Sequence, residues 1–127
     1  MTYVWVAVGG ALGSVARYAS TVFIARTTAS TLPWGTLAVN ASGSLVIGLL
    51  AALLAANGKP LVAGDARAFL LIGVLGGFTT FSSFSLETLA LARAGAWAAA
   101  GANVMGSVVL CLVAVWLGFL VGDSLNR

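Results

Sequence analysis

The residues best suited to chemistry in this 127-residue chain crowd into one stretch, Gly73-Val74-Leu75-Gly76-Gly77-Phe78-Thr79-Thr80-Phe81-Ser82-Ser83-Phe84-Ser85. It sets two adjacent glycines beside a cluster of hydroxyl side chains. Glycine weakens a helix, and Ser and Thr side chains compete for its backbone hydrogen bonds. A break in the helix is therefore the preferred reading, and a helix whose hydroxyls bond back to their own carbonyls is the alternative. Carbonyls freed by a break can coordinate a cation. Phe81 and Phe84, three apart, share a helix face. Packing is the ordinary reason for such a pair, but an aromatic edge carries partial positive charge and an anion can approach it in the ring plane.

Other polar residues stand at helical spacing in apolar surroundings. Asn40 offers two amide donors, with Thr36 one turn earlier on the same face. Asn103 and Ser107 form a similar pair. A buried asparagine that bonds only a neighbouring helix is an equally good reading of Asn40. Arg17 and Glu87 are charges within or near the ends of apolar runs, where ionisable residues are functional candidates by default. Arg17 could concentrate anions at a vestibule or snorkel to the interface. Glu87 could be paired or protonated, or could orient the neighbouring hydroxyls. Together these residues describe a path rich in N–H and O–H donors with little negative charge. Such a path suits a small, strongly hydrated anion whose lost water must be replaced by donors.

The elements that must hold these residues are membrane spans. Hydrophobic residues make up 61% of the chain and charged residues 7%, against about a quarter charged in a soluble domain. Residues 27–58 and 94–122 carry no charge at all, and a span needs roughly 20 apolar residues. Four spans are expected, over residues 3–25, 33–56, 66–92 and 97–121, in a single membrane domain covering 1–127. Pro33 suits a first helical turn, and Asn57-Gly58-Lys59-Pro60 reads as a stop and turn. The N-terminus lacks the positive start of a signal peptide, so the first apolar run is read as a retained span. The break near Gly76 and Gly77 then falls near the bilayer centre, where irregular backbone survives only if buried in protein or lining a wet cavity.

Charge and small residues add two expectations about assembly. Lys59, Arg67 and Arg127 would lie on one side of the membrane, with Arg26 and Arg93, plus Arg17 if it snorkels that way, on the other. The positive-inside rule finds almost no bias in this. A chain inserting both ways could form an antiparallel dimer, whereas one charge deciding the orientation would give a single topology. Gly9/Gly13, Gly73/Gly77, Gly118/Gly122, Ser44/Gly48 and Ala102/Gly106 are small pairs at i,i+4 that let membrane helices approach closely. Tight packing of four helices points to a permeation path between subunits. The net charge of +3 is scattered, which argues against nucleic-acid binding. Histidine is absent, and the single Cys111 cannot form an internal disulfide and reads as a packing residue.

Three motifs in order carry a resemblance: Gly9-Gly10-Ala11-Leu12-Gly13-Ser14-Val15-Ala16-Arg17-Tyr18, Pro33-Trp34-Gly35-Thr36-Leu37-Ala38-Val39-Asn40, and Gly76 to Ser85 with Glu87. Along nearly its whole length the chain resembles the CrcB/Fluc fluoride channels. The resemblance implies an all-α, multi-pass protein of the cell inner (plasma) membrane. It implies four transmembrane helices per subunit, the third broken mid-membrane, and an antiparallel, dual-topology homodimer with two pores in the lipid bilayer. It implies passive, electrogenic fluoride efflux that relieves the microbial cytoplasm of fluoride entering as HF. It also implies a structural Na+ at the dimer centre, held by backbone carbonyls of Gly76 and Thr79 from both subunits. Phe81 and Phe84 would line the fluoride path, Asn40 would donate to the ion, and Ser82, Ser83 and Glu87 would belong to its polar track, with Thr36 and Ser107 as looser assignments. Family members often have threonine at Ser83, and some carry tyrosine where this chain aligns Asn103.

Two rivals are weaker. A four-span, proton-coupled multidrug exporter needs an embedded glutamate in its first span, and this first span has no acid. A purely structural subunit would not need costly intramembrane polar groups. An enzyme is the least suited reading, since no nucleophile–base pair or metal cluster is visible.

Overall fold

The computed structural model describes residues 1–54 and 64–126. The expected turn at Asn57-Gly58-Lys59-Pro60, the end of the second expected span, and the charges Lys59 and Arg127 lie outside the described residues. The described chain is helix joined by short turns. Four of its helical stretches, Thr2–Thr27, Trp34–Leu53, Asp65–Arg93 and Trp97–Leu125, are long and apolar enough to cross a membrane. The protein is therefore an all-helical, multi-pass membrane protein.

Two helix pairs build the bundle, and each is zipped by glycine. The first helix (Thr2–Thr27) lies along residues 65–78, termed here the proximal arm of the third span. A Cβ on Gly9 would stand 2.6 Å from the Phe69 carbonyl, and one on Gly77 would stand 2.6 Å from that of Gly10. Gly13 is pressed in the same way on the Val74 carbonyl. The second helix (Trp34–Leu53) packs most extensively on the last (Trp97–Leu125). There Gly48 meets the Val115 carbonyl, Gly118 meets that of Leu45, and Gly122 that of Leu49. Backbone touches backbone along both seams, which only the absence of a side chain permits. A Cβ on Gly106 would meet nothing within 4 Å, so this glycine is not pressed on another described helix of the chain.

Local sequence sets the ends. Pro33 is not inside the first turn as expected; its ψ of 66° keeps it out of the helix, and its carbonyl accepts the Leu37 N–H at 3.1 Å. Asn126 donates to the Ala52 carbonyl at 2.7 Å, closing the end of the second helix from the chain's other extremity. Thr2 donates to Asp65 at 2.5 Å and ties the starts of the first helix and the proximal arm. Gly95, at φ 78°, ends the third span in a Schellman turn. The Ala96 N–H reaches the Leu91 carbonyl at 2.9 Å, and the Gly95 N–H reaches that of Ala92 at 3.0 Å. Large apolar side chains face outward around the bundle, as a lipid-facing surface requires.

The third span is irregular in two places. From Ala68 to Leu75 it is wound as π-helix, which nothing in the sequence signalled. Helical winding then ends at Phe78 and resumes with the distal arm, Phe81–Arg93. Thr79 (φ −81°, ψ 158°) and Thr80 (φ −153°, ψ 121°) between them are extended.

Candidate functional site

The extended pair and the helix end before it are held by side chains from two different helices. Asn40, on the second helix, bonds both backbone polar groups of Thr80: Nδ2 donates to the Thr80 carbonyl at 2.9 Å, and Oδ1 accepts the Thr80 N–H at 2.7 Å. Thr80 in turn caps the distal arm, its hydroxyl accepting the Ser83 N–H at 3.2 Å. The same hydroxyl lies 3.2 Å from the hydroxyls of both Ser82 and Ser83. At the helix end before the pair, Arg17 donates from Nε to the Gly77 carbonyl at 3.1 Å.

These diversions free specific oxygens. In an unbroken helix the Gly76 carbonyl would receive the Thr80 N–H, and the Thr79 carbonyl that of Ser83. Both donors go elsewhere, to Asn40 and to the Thr80 hydroxyl. Gly76 and Thr79 therefore offer neutral main-chain oxygens beside a groove that both residues line, which is the donor chemistry a hard alkali cation takes. Two such oxygens are only part of a cation's shell.

The groove holds about 480 Å³ and opens on the side of the bundle. Asn40, Thr80, Phe81, Phe84 and Ser107 border it together with Gly76 and Thr79. The Phe81 and Phe84 rings stand 5.2 Å apart, tilted by 50°. They differ sharply in setting, Phe81 being 77% exposed and Phe84 8%. Cys111, a free thiol, lies on the same wall.

The remaining candidates sit apart. Thr36 and Glu87 border a second cleft of about 410 Å³ on the other side of the second helix's start, with Thr21, Ser30, Thr31 and Trp34. Thr36 donates to Glu87 Oε1 at 2.7 Å, while Glu87 Oε2 is buried without a hydrogen-bond partner. The candidates from the sequence thus divide into a groove set around Asn40 and Phe81, a cleft set of Thr36 and Glu87, and Arg17 on the Gly77 carbonyl.

Thr80 and Thr88 were not singled out from the sequence. Thr80 is the residue on which Asn40 and the distal-arm cap converge, and the signal was available: a Thr three residues before Ser83, shortly after a glycine pair, suits an N-cap position. Thr88 donates to the Phe84 carbonyl at 2.7 Å and accepts from Asn103 Nδ2 at 2.8 Å. Ser107 donates to Asn103 Oδ1 at 3.5 Å, so a buried polar chain runs from the last helix to the turn bearing Phe84.

Comparison with known proteins places this geometry in context. A family model described as CrcB-like protein, Camphor Resistance (CrcB), matches residues 4–119. Similar curated proteins include the fluoride-specific ion channel FluC of Opitutus terrae, 56% identical over 98% of this chain and 94% of that protein. The protein of the same name from Paramagnetospirillum magneticum is 52% identical over 100% of this chain and 99% of its own. That from Paracoccus denitrificans is 52% identical over 98% and 96%.

Proposed function

We propose, because the chain belongs to the CrcB family, that it is a fluoride-selective ion channel carrying passive, electrogenic fluoride efflux across the cell inner membrane. The observation that carries the reading is the groove at residues 79–80. There the start of a helix, several hydroxyls, one remaining Asn40 N–H and the Phe81–Phe84 ring pair meet within an otherwise apolar bundle. A helix start carries partial positive charge and suits an anion. Hydroxyls and amide donors replace the water that a small anion sheds on entry, and ring edges add a weaker positive contribution. Phe81, Phe84, Asn40 and Ser107 form the groove side of the path, with Ser82 and Ser83 at its hydroxyl edge. Thr36 and Glu87, in the separate second cleft, would extend its polar track.

The interruption is the mid-membrane break of the third span, and the groove's open side is closed by a second copy inserted in the opposite orientation. Two copies give two paths and bring four carbonyls, from Gly76 and Thr79 of each, to one place. When bound there, Na+ would be coordinated by those carbonyl dipoles and tie the copies together. The activity is conduction rather than catalysis.

The test is release of fluoride from liposomes loaded with potassium fluoride after valinomycin is added, followed with a fluoride electrode. Rapid release, absent for chloride in matched vesicles, is the expected result. No release above protein-free vesicles, from folded protein, overturns the reading.

A further inference from the structure

Arg17 is placed by the glycine seam rather than by the membrane surface. Gly10 bears on Gly77 and Gly13 on Val74 and Phe78, so a side chain one turn beyond Gly13 emerges level with the end of the proximal arm. There the Gly77 carbonyl, which a continuous helix would satisfy with the Phe81 N–H, accepts Nε of Arg17 at 3.1 Å. The end of a helix carries partial negative charge, and a cation bonded to its last carbonyls is favoured. Gly77 adjoins Gly76, and the arm stops one residue later at Phe78. The guanidinium therefore holds the proximal edge of the interruption, while Asn40 holds Thr80 at its distal edge.

We propose that Arg17 is a positioning residue: it caps the proximal arm at Gly77 and fixes where the third span is interrupted, instead of acting as a free charge that concentrates anions. The idea rests on the channel reading for its flux measurement alone. Two substitutions separate donor from charge. The Gln Nε2 lies the same number of bonds from Cα as the Arg Nε, so R17Q keeps a donor in place without charge. R17K keeps the charge but has carbon at that position, and R17M has neither.

Fluoride release from liposomes is compared across the four proteins, together with amide hydrogen exchange over residues 78–83 of the purified proteins. Capping predicts that R17Q stays within about threefold of the unsubstituted protein while R17K and R17M fall by about tenfold or more, the scale of one carbonyl left without its donor. Exchange over 78–83 should quicken in R17K and R17M and not in R17Q. Full conduction by R17K with a loss in R17Q that fades at high ionic strength overturns the proposal in favour of a vestibule charge. So does unchanged exchange in R17K and R17M. If R17M fails to fold, R17K against R17Q still decides. If the unsubstituted protein releases no fluoride, the channel reading falls and the exchange measurement alone judges the cap.

Discussion

Asn40 shows how much one side chain can settle at this site. Its amide answers both polar groups of the Thr80 backbone, as a neighbouring strand would, and keeps one N–H for the groove. N40A leaves a donor and an acceptor of Thr80 without partners, a cost of about 1–3 kcal/mol for each. It should lower the midpoint of denaturant unfolding followed by tryptophan fluorescence. N40D keeps the acceptor but turns a second carboxylate oxygen toward the Thr80 carbonyl and adds negative charge to an anion path. Fluoride release by N40D should fall below that of N40A by about tenfold or more; release equal to the unsubstituted protein would remove Asn40 from both roles. The sequence displayed Asn40 as an intramembrane amide and left open whether it served an ion or a helix. Its partner could not be read, because that depends on two dihedral angles forty residues away. Glu87 was legible as an odd acid, but its pairing with Thr36 in a separate cleft was not, since spacing along a helix says nothing about the neighbouring one.

At the level of helices, the seams were the most legible feature. Gly9/Gly13, Gly73/Gly77 and Gly118/Gly122 all lie at backbone contacts, because small residues one turn apart have few other uses in an apolar helix. Ala102/Gly106 has the same spacing, yet a Cβ at Gly106 would meet nothing within 4 Å, so spacing alone does not say which face meets which helix. The two cases give a matched test. G118A forces a methyl into the Leu45 carbonyl, with backbone on both sides and little room to yield, and should cost about 1–3 kcal/mol or more. G106A enters open space and should leave the fold of the chain unharmed, within about 1 kcal/mol and with some gain from helix propensity. Unfolding titrations of the two variants check this; equal losses would contradict the glycine seam. The π-wound turns from Ala68 to Leu75 were invisible in the sequence, since Ala-Phe-Leu-Leu-Ile-Gly-Val-Leu reads as an ordinary apolar helix.

The whole molecule presents a groove on its flank, mainly apolar in lining but bordered by Gly76, Thr79, Thr80 and Ser107, open toward what would otherwise be lipid. Freed carbonyls and hydroxyls facing hydrocarbon are costly, which is the physical argument for a second copy over that face. Purified protein should therefore run as a dimer in mild detergent, and single cysteines in the connecting turns should be labelled from both sides of the membrane. Labelling from one side alone would contradict the opposed arrangement. The nearly even distribution of basic residues made this legible as a possibility, and no more, because a single charge can decide an orientation. The interruption at Thr79 and Thr80 also bears on biogenesis. A charged side chain at the centre of an inserting helix costs roughly 2.5–3.5 kcal/mol at the translocon. This chain instead makes its two poles from backbone, a negative helix end at Phe78 and a positive start at Phe81. The partners that stabilise them, Arg17 and Asn40, are synthesised first and are already in the bilayer when residue 79 arrives. The polar centre can thus be assembled after insertion, and residues 68–86 of the third span enter the membrane without a charged side chain.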